Sequence, residues 1–488
     1  MSAKTTAKSY FITTSIPYIN GEPHIGHTYE LLAADVLARY ARSHGQDVLL
    51  STGTDEHGGK IQEKAKQSGK PVKEYADEIS KKWRELGPLV NMSTDRFIRT
   101  TDPGHEQRAA LIWQALQADI YKGKYSGWYC TGCEAFVPEA TAKENNGVCP
   151  IHERAYDKIE EENYFFKLSK YSAEITAKIM DGSFRVIPDT RRNEVLHVLK
   201  EGLEDISISR PKDKISWGVP VPGDDTQIMY VWFEALMNYI TVLGYPEHAD
   251  FKKFWPANVQ IVGKDISRFH AAIWPGMLLG LKLPLPKMLY VHGFINFGGQ
   301  KISKSLGNVV HPREVVDKYG VDALRYYLLR HTPSYEDGDF TWKRFEAAYN
   351  NELANELGNA VSRAAAMITK YQNGLIGDIA KPEHDSAQYH KEIADCRFDR
   401  ALEEVWQQVR GLNQYIEEEK PWVIAAGGDM GHVGEVLAYI VSCLLEIAEM
   451  LSPFMPATSD KITAMFDSGV LQKTEGTLFP KHEDPAKV

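Results

Sequence analysis

Tyr10-Phe11-Ile12-Thr13-Thr14-Ser15-Ile16, then Pro17-Tyr18-Ile19-Asn20-Gly21-Glu22-Pro23-His24-Ile25-Gly26-His27, sets the reading of the whole chain. The first seven residues are rich in the β-branched and aromatic side chains that fit a pleated surface. Beyond the turn, Ile25, Tyr29, Leu32, Val36 and Tyr40 recur at helical spacing. Gly45 suits the end of that helix, and Asp47-Val48-Leu49-Leu50-Ser51-Thr52 reads as a second strand running into Gly53-Thr54-Asp55-Glu56-His57-Gly58. The unit is βαβ, the start of an open parallel sheet that binds ligands at the carboxyl ends of its strands. It sets His24 and His27 beside the N-terminal amides of a helix, where anions are held. No G-x-G-x-x-G is present in this unit, which counts against a dinucleotide oxidoreductase.

A second short run, Lys301-Ile302-Ser303-Lys304-Ser305, follows the glycine-rich Phe297-Gly298-Gly299-Gln300. Two ammonium groups three residues apart on such a loop fit a clamp for phosphates. Together with the two imidazoles they describe a triphosphate site, able to stabilise charge on an α-phosphate and on a leaving pyrophosphate. Bulk numbers agree with a multidomain enzyme: 488 residues are too many for one core. The 56 basic against 66 acidic residues give a net charge of −10, unlike a protein that coats nucleic acid without selection. Nothing resembles a signal peptide and no run of about 18 apolar residues occurs, so no membrane association is expected. Five cysteines in a chain of this size point to a reducing compartment, the cytoplasm.

The texture divides the chain into an α/β catalytic first half over residues 1–120, an inserted connective domain over 121–224, and a catalytic second half over 225–297. A clamp and stem-contact region over 298–341 and an all-α bundle over 342–488 complete it. Met229-Tyr230-Val231-Trp232, Val259 to Asp265 and Met288 to Gly293 read as further strands of the first sheet. Four or five amphipathic helices are expected after residue 342. Inside the insertion, Cys130-Thr131-Gly132-Cys133 and Cys149-Pro150-Ile151-His152 supply two ligand pairs with two-residue spacing, as a structural tetrahedral Cys3His zinc site requires. Cys396 and Cys443 fall on helical stretches and read as buried apolar residues. In the bundle, Asn359 and Arg363 share one helix face and Trp422 follows Lys420-Pro421. An amide, a guanidinium and an aromatic platform are the chemistry that reads unstacked bases, though core or surface roles are the ordinary alternative.

On these residues the chain resembles the class I aminoacyl-tRNA synthetases and, within them, the methionyl-tRNA synthetase family over nearly its full length. His24-Ile25-Gly26-His27 and Lys301-Ile302-Ser303-Lys304-Ser305 stand as the two signature motifs of that class. The resemblance implies a Rossmann-like catalytic domain split by the insertion, and activation of methionine by ATP, with magnesium, before transfer to tRNA. It implies catalytic roles for His24, His27, Lys301 and Lys304, and ATP contacts from these four with Gly26, Gly263, Asp265, His292 and Gly293. Asp55 would hold the methionine amino group, with Ser15, Ile16, Tyr18, Trp232, Leu236, Tyr239, Ile266 and His270 around the thioether. Asn359, Arg363 and Trp422 would read the anticodon, in initiator and elongator tRNA alike. Glu234 stands where the family usually has aspartate, and Ile302 where methionine is commoner. The chain stops at the helical bundle, from which a monomer is expected. A leucine, isoleucine or valine enzyme would need a larger insertion, and a cysteine enzyme would need an open zinc position. A tRNA-independent nucleotidylyltransferase and a non-catalytic tRNA-binding module are the more distant rivals.

Overall fold

A computed structural model describes residues 7–133, 135–137, 139–302, 308–377, 379, 386–472 and 476–481. At its centre is a six-stranded sheet, every pair parallel. Strands β1 (Ser9–Thr14), β2 (Asp47–Thr54) and β3 (Arg96–Arg99) run outward to one edge, and Val259–Gly263, Met288–His292 and Arg185–Ile187 run to the other. The chain reverses its order of travel between β1 and Val259–Gly263, where Ile12 lies opposite Val259. That switch point is where an open α/β sheet leaves a crevice beyond its strand ends. Ser15, the first residue past β1, donates its backbone N–H to Ile261 O at 3.0 Å and so sits at the crevice floor.

Helix α1 (Ile25–Ser43) covers one face of the sheet with a long buried stripe that includes Tyr29, Leu32, Ala33, Val36 and Leu37. His44 closes it and Gly45 follows at φ +71°, the left-handed position that ends helices. The apolar cluster on this face continues through helix Val321–Arg330 into the C-terminal bundle, joining Leu32 and Leu324 to Trp406 and Leu444. A fully buried guanidinium fastens the same junction. Arg325 pairs with Asp35 of α1 at 2.8 Å and donates to Phe454 O at 2.6 Å, Pro453 O at 2.9 Å and Val90 O at 3.0 Å. Removing one partner of such a buried pair costs about 3–5 kcal/mol. The other sheet face packs Phe11, Leu49, Trp113, Phe233, Tyr239 and Trp274.

Two expectations about the sheet change. Met229-Tyr230-Val231-Trp232 is no strand of it: Asp224–Met229 pairs antiparallel with Ser209–Pro211 and Pro220–Val221 in a small separate sheet, and Val231–Ala235 is helical. A four-residue apolar run carries too little periodicity to separate a strand from a buried helical turn. Arg185–Ile187, inside the stretch read as inserted, is an edge strand of the main sheet opposite Met288–Tyr290. Three residues show no readable alternation. The Cys-bearing part of that stretch is a long ribbon: Ile120–Cys130 pairs antiparallel with Asp157–Phe166, from Ile120 opposite Phe166 to Tyr129 opposite Asp157. Beyond residue 342 one continuous helical run spans 342–372, with a π-helical middle at Tyr349–Gly358. Ala387–Ala394, Phe398–Glu419, Pro421–Ala426, Met430–Leu451 and Pro456–Phe466 follow among the described residues, one stretch more than expected because two are under nine residues. Among the described residues no helix is long and apolar enough to cross a membrane.

Candidate active site

The two signature stretches, 277 positions apart in the chain, meet at the start of α1. Ile25 donates to Val310 O at 3.0 Å, and Ile302 Cδ1 lies 3.7 Å from where a side chain on Gly26 would begin. The same position would crowd the His24 ring at 3.0 Å, so glycine is what leaves room for that ring against the helix start. The imidazoles cap the helix reciprocally: His24 Nδ1 accepts from Gly26 N–H at 3.1 Å and His27 Nδ1 accepts from His24 N–H at 3.2 Å. Because each Nδ1 is an acceptor, each ring carries its proton on Nε2. Burial, then neighbouring His24, holds the His27 pKa well below its ordinary value, so the ring stays neutral. The pair, centroids 3.8 Å apart, is braced by Trp83 edge-on to His27 at 4.6 Å. The result is two Nε2–H donors beside helix amides, suited to an anion.

The glycine-rich stretch is a hairpin. Ile295–Phe297 pairs with Gln300–Lys301 across Gly298 and Gly299, both at positive φ, as the tightest hairpin turns demand. Gly299 donates to Asp339 Oδ1 at 2.7 Å. Lys301 is exposed on the hairpin, its ammonium 5.4 Å from the Phe294 ring. Lys304, with residues 303–307, lies outside the described residues.

The crevice between the sheet halves gathers the remaining candidates. Glu30 of α1 joins them: its Oε1 accepts from Ser15 N–H at 2.6 Å and Ser15 Oγ at 2.7 Å, and its Oε2 meets His292 Nε2 at 2.9 Å. Burial opposes charge on His292, but Glu30 and the Gly293 carbonyl, 2.7 Å from Nδ1, raise its pKa. Gly293 admits no side chain, since a Cβ there would lie 2.2 Å from Glu336 O. Gly263 is the parallel partner of His292, and Asp265 stands exposed beyond it. Across the crevice, Tyr239 OH donates to His270 Nε2 at 2.7 Å while His270 Nδ1 donates to Ile266 O at 3.0 Å. Burial lowers the His270 pKa to about 4, so this ring too is neutral. It sits in a π-helical turn, Phe269–Ile273, whose Phe269 stacks on Trp232 at 3.8 Å. Burial, followed by the Glu30 carboxylate and then that of Asp55, raises the Tyr239 pKa. Tyr18, Trp232, Leu236, Tyr239 and Ile266 belong to one apolar cluster, while Ile16 is half-buried outside it. Asp55 is buried, its backbone paired with Pro17 and Ile19, which draws the β2 end against the turn after β1.

Glu30 escaped the sequence reading, and so did the supports of Asp55. The available signal for Glu30 was a carboxylate on the buried face of an amphipathic helix, one turn after His27. Glu56 is fully buried and accepts from Arg99 Nε and one terminal Arg99 nitrogen at 2.7 Å, and from the Thr54 and Thr101 hydroxyls at 2.6 Å.

At the ribbon tip, one ligand atom from each of Cys130, Cys133, Cys149 and His152 lies within 4.8 Å of the others. His152 Nδ1 stands 3.3 Å from Cys133 Sγ and 3.6 Å from Cys149 Sγ. A Cβ on Gly132 would meet His152 Cγ at 2.4 Å, so the two ligand pairs close only around glycine. This donor set can hold a metal ion. Burial, then the charges of Lys60, Lys301 and Arg154, lowers the His152 pKa. In the bundle, the Arg363 guanidinium lies over the Trp422 ring at 5.6 Å and pairs with Glu417 at 2.7 Å. Trp422 is 37% exposed, and Asn359, exposed, is the first residue after the π-helical stretch. Cys396 and Cys443 are buried, as expected.

Comparison with known proteins gives a consistent picture. The family model described as tRNA synthetases class I (M) matches residues 10–160 and 145–365. A methionine–tRNA ligase from Caldanaerobacter subterraneus subsp. tengcongensis is 44% identical over 471 residues, covering 93% of this chain and 73% of that protein. One from Thermotoga maritima is 41% identical over 469 residues, covering 93% and 74%. The Mycobacterium tuberculosis methionyl-tRNA synthetase in complex with methionyl-adenylate superposes with a TM-score of 0.90 at 33% identity, covering 97% of this chain and 100% of that one.

Proposed function

We infer the chemistry of this site from one premise: the chain belongs to the class I tRNA synthetases, in the branch specific for methionine. It is an ATP-dependent ligase with two half-reactions. A methionine carboxylate oxygen attacks the α-phosphate of ATP, forming the mixed anhydride methionyl-adenylate and releasing pyrophosphate. A ribose hydroxyl at the tRNA 3′ end then attacks the activated carbonyl, forming the ester and releasing AMP. Neither step needs a covalent enzyme intermediate, because positioning and charge stabilisation suffice.

The observation that carries the residue assignment is the meeting of the imidazole pair with the lysine hairpin at one helix N-terminus. In this reading the Nε2–H groups of His24 and His27 and the helix amides stabilise charge on the α-phosphate. Lys301 and Lys304 hold the β- and γ-phosphates, with a magnesium ion neutralising the triphosphate. His292, Gly293, Gly263 and Asp265 receive the adenosine, the last two at its ribose. Asp55 takes the methionine ammonium. Tyr18, Trp232, Leu236 and Ile266, with Ile16 and Ser15, enclose the thioether, which aromatic edges and apolar walls suit. The Tyr239–His270 pair, neutral at physiological pH, presents polar groups to the sulfur without a charge to desolvate. Three thiolates and an imidazole suit zinc in a closed structural site, which would stiffen the ribbon tip near the acceptor end of tRNA. Asn359, Arg363 and Trp422 would read the anticodon of initiator and elongator tRNA. Five free cysteines, three of them in the metal cluster, accord with a cytoplasmic setting.

The test is exchange of labelled pyrophosphate into ATP with each of the twenty amino acids in turn. Exchange with methionine alone is expected. Exchange with another amino acid overturns the pocket assignment, and none in folded, metal-loaded protein overturns the catalytic one.

A further inference from the structure

Behind the proposed methionine pocket lies a chain of buried charge to which the reaction above gives no task. Glu234, on helix Val231–Ala235, is fully buried. Its Oε1 accepts from His57 Nδ1 at 2.8 Å and its Oε2 from His105 Nε2 at 2.8 Å. The far side of each ring is held as well. His57 Nε2 faces Glu106 Oε1 at 3.6 Å, and His105 Nδ1 meets Thr241 Oγ1 at 2.8 Å.

These partners are neighbours of the pocket walls. His57 is two residues past Asp55 on the β2 end. Trp232 is two residues before Glu234 on the same short helix, and Thr241 shares helix Asn238–Thr241 with Tyr239. One carboxylate therefore ties the segment that presents Asp55 to both helices that present the aromatic wall. Burial opposes charge on His57, but Glu234, with Glu106 and Asp55, outweighs it and pushes the pKa up to about 10. Burial likewise favours a neutral Glu234, yet His57 and His105 outweigh it and hold the carboxyl below its usual range. A buried charge of this kind persists only while its partners stay in place, so the spacing it sets is stiff.

We propose that Glu234 is a positioning residue for methionine: through His57 and His105 it fixes the gap between Asp55, which takes the ammonium, and the Trp232 and Tyr239 wall, which takes the thioether. This rests on the reading of Asp55, Trp232 and Tyr239 as methionine contacts. Glu234 itself touches no substrate. Its loss shifts one end of the amino-acid pocket against the other and leaves the phosphate end of the site, built on α1 and the hairpin, where it was.

The experiment is steady-state pyrophosphate exchange with calorimetric methionine binding, on full-length wild type, Glu234→Gln and Glu234→Asp, each with a thermal melt. Glutamine keeps the shape but turns one donor toward His57 or His105, each already donating. The expected result for Glu234→Gln is a rise of at least tenfold in methionine KM and Kd, with ATP KM and kcat within threefold of wild type. Glu234→Asp restores the charge with shorter reach, and its methionine KM falls between the two. If Glu234→Gln does not fold, Glu234→Asp carries the test: methionine KM about threefold above wild type or more, ATP KM unmoved. A folded Glu234→Gln, or Glu234→Asp where it alone folds, whose methionine KM stays within twofold of wild type overturns the proposal, as does a parallel rise in both KM values. Wild type that neither exchanges with nor binds methionine overturns it too, and places the failure in the pocket reading instead.

Discussion

The mouth and the floor of this site are built in opposite ways. Each half of the mouth is made of sequence neighbours held by backbone, although the halves come from distant stretches: two imidazoles cap the helix that carries them, and a two-glycine turn presents Lys301. The floor joins residues as much as 177 positions apart through buried side chains, with His57 and His105 on either side of Glu234. The difference teaches what each part must do. A triphosphate is recognised by charge and N–H direction, which a short motif supplies at the edge of the site. An apolar thioether offers about 1–3 kcal/mol of discrimination per methylene, so its pocket has to be stiff to use even that.

The sharpest way to break this division is to remove a donor at the mouth. His27→Ala should lower the exchange rate by roughly 100-fold or more, as loss of one preorganised donor does, while methionine Kd stays within twofold. Equal losses in both would erase the distinction. A second comparison separates the whole crevice from the distant bundle. Trp422→Ala removes a base-stacking surface valued at about 1–3 kcal/mol. It should cut kcat/KM for tRNA charging about tenfold and leave exchange without tRNA unchanged. An effect on exchange would place Trp422 in the fold and not in recognition.

The smallest effect is one of stability against pH. The His57 pKa is raised from 6.5 to about 10 on folding, by Glu234 with Glu106 and Asp55 and against burial. Its stabilisation is therefore complete below about pH 6.5 and is lost as pH rises toward 10. Wild type should lose more melting temperature across that window than Glu234→Gln does. Identical slopes would remove the charged His57–Glu234 pair from the account.

The same contrast explains what the sequence disclosed. Motifs with a local backbone logic were legible: the β1–α1–β2 unit, the glycine-rich turn before Lys301 and the doubled cysteine spacing. Glu30, Glu56 and the His57–Glu234–His105 chain were not, because a buried carboxylate in a helical or strand-end run looks like any surface carboxylate until its partners arrive from elsewhere in the fold. Glu234 drew attention only as a departure from aspartate, with no sign that it joins two histidines. The Met229 to Trp232 run misled for a related reason: apolar side chains announce burial, while the choice between strand and helical turn was made by the separate antiparallel sheet that ends at Met229.

The most direct measurement is methionine binding by calorimetry alongside methionine-dependent pyrophosphate exchange in Lys304→Ala. The account predicts methionine Kd within twofold of wild type and exchange reduced at least 100-fold, because the clamp lysine acts on phosphates and the floor alone holds the amino acid. Loss of methionine binding in that variant, with the fold intact by thermal melt, would contradict the separation of mouth from floor.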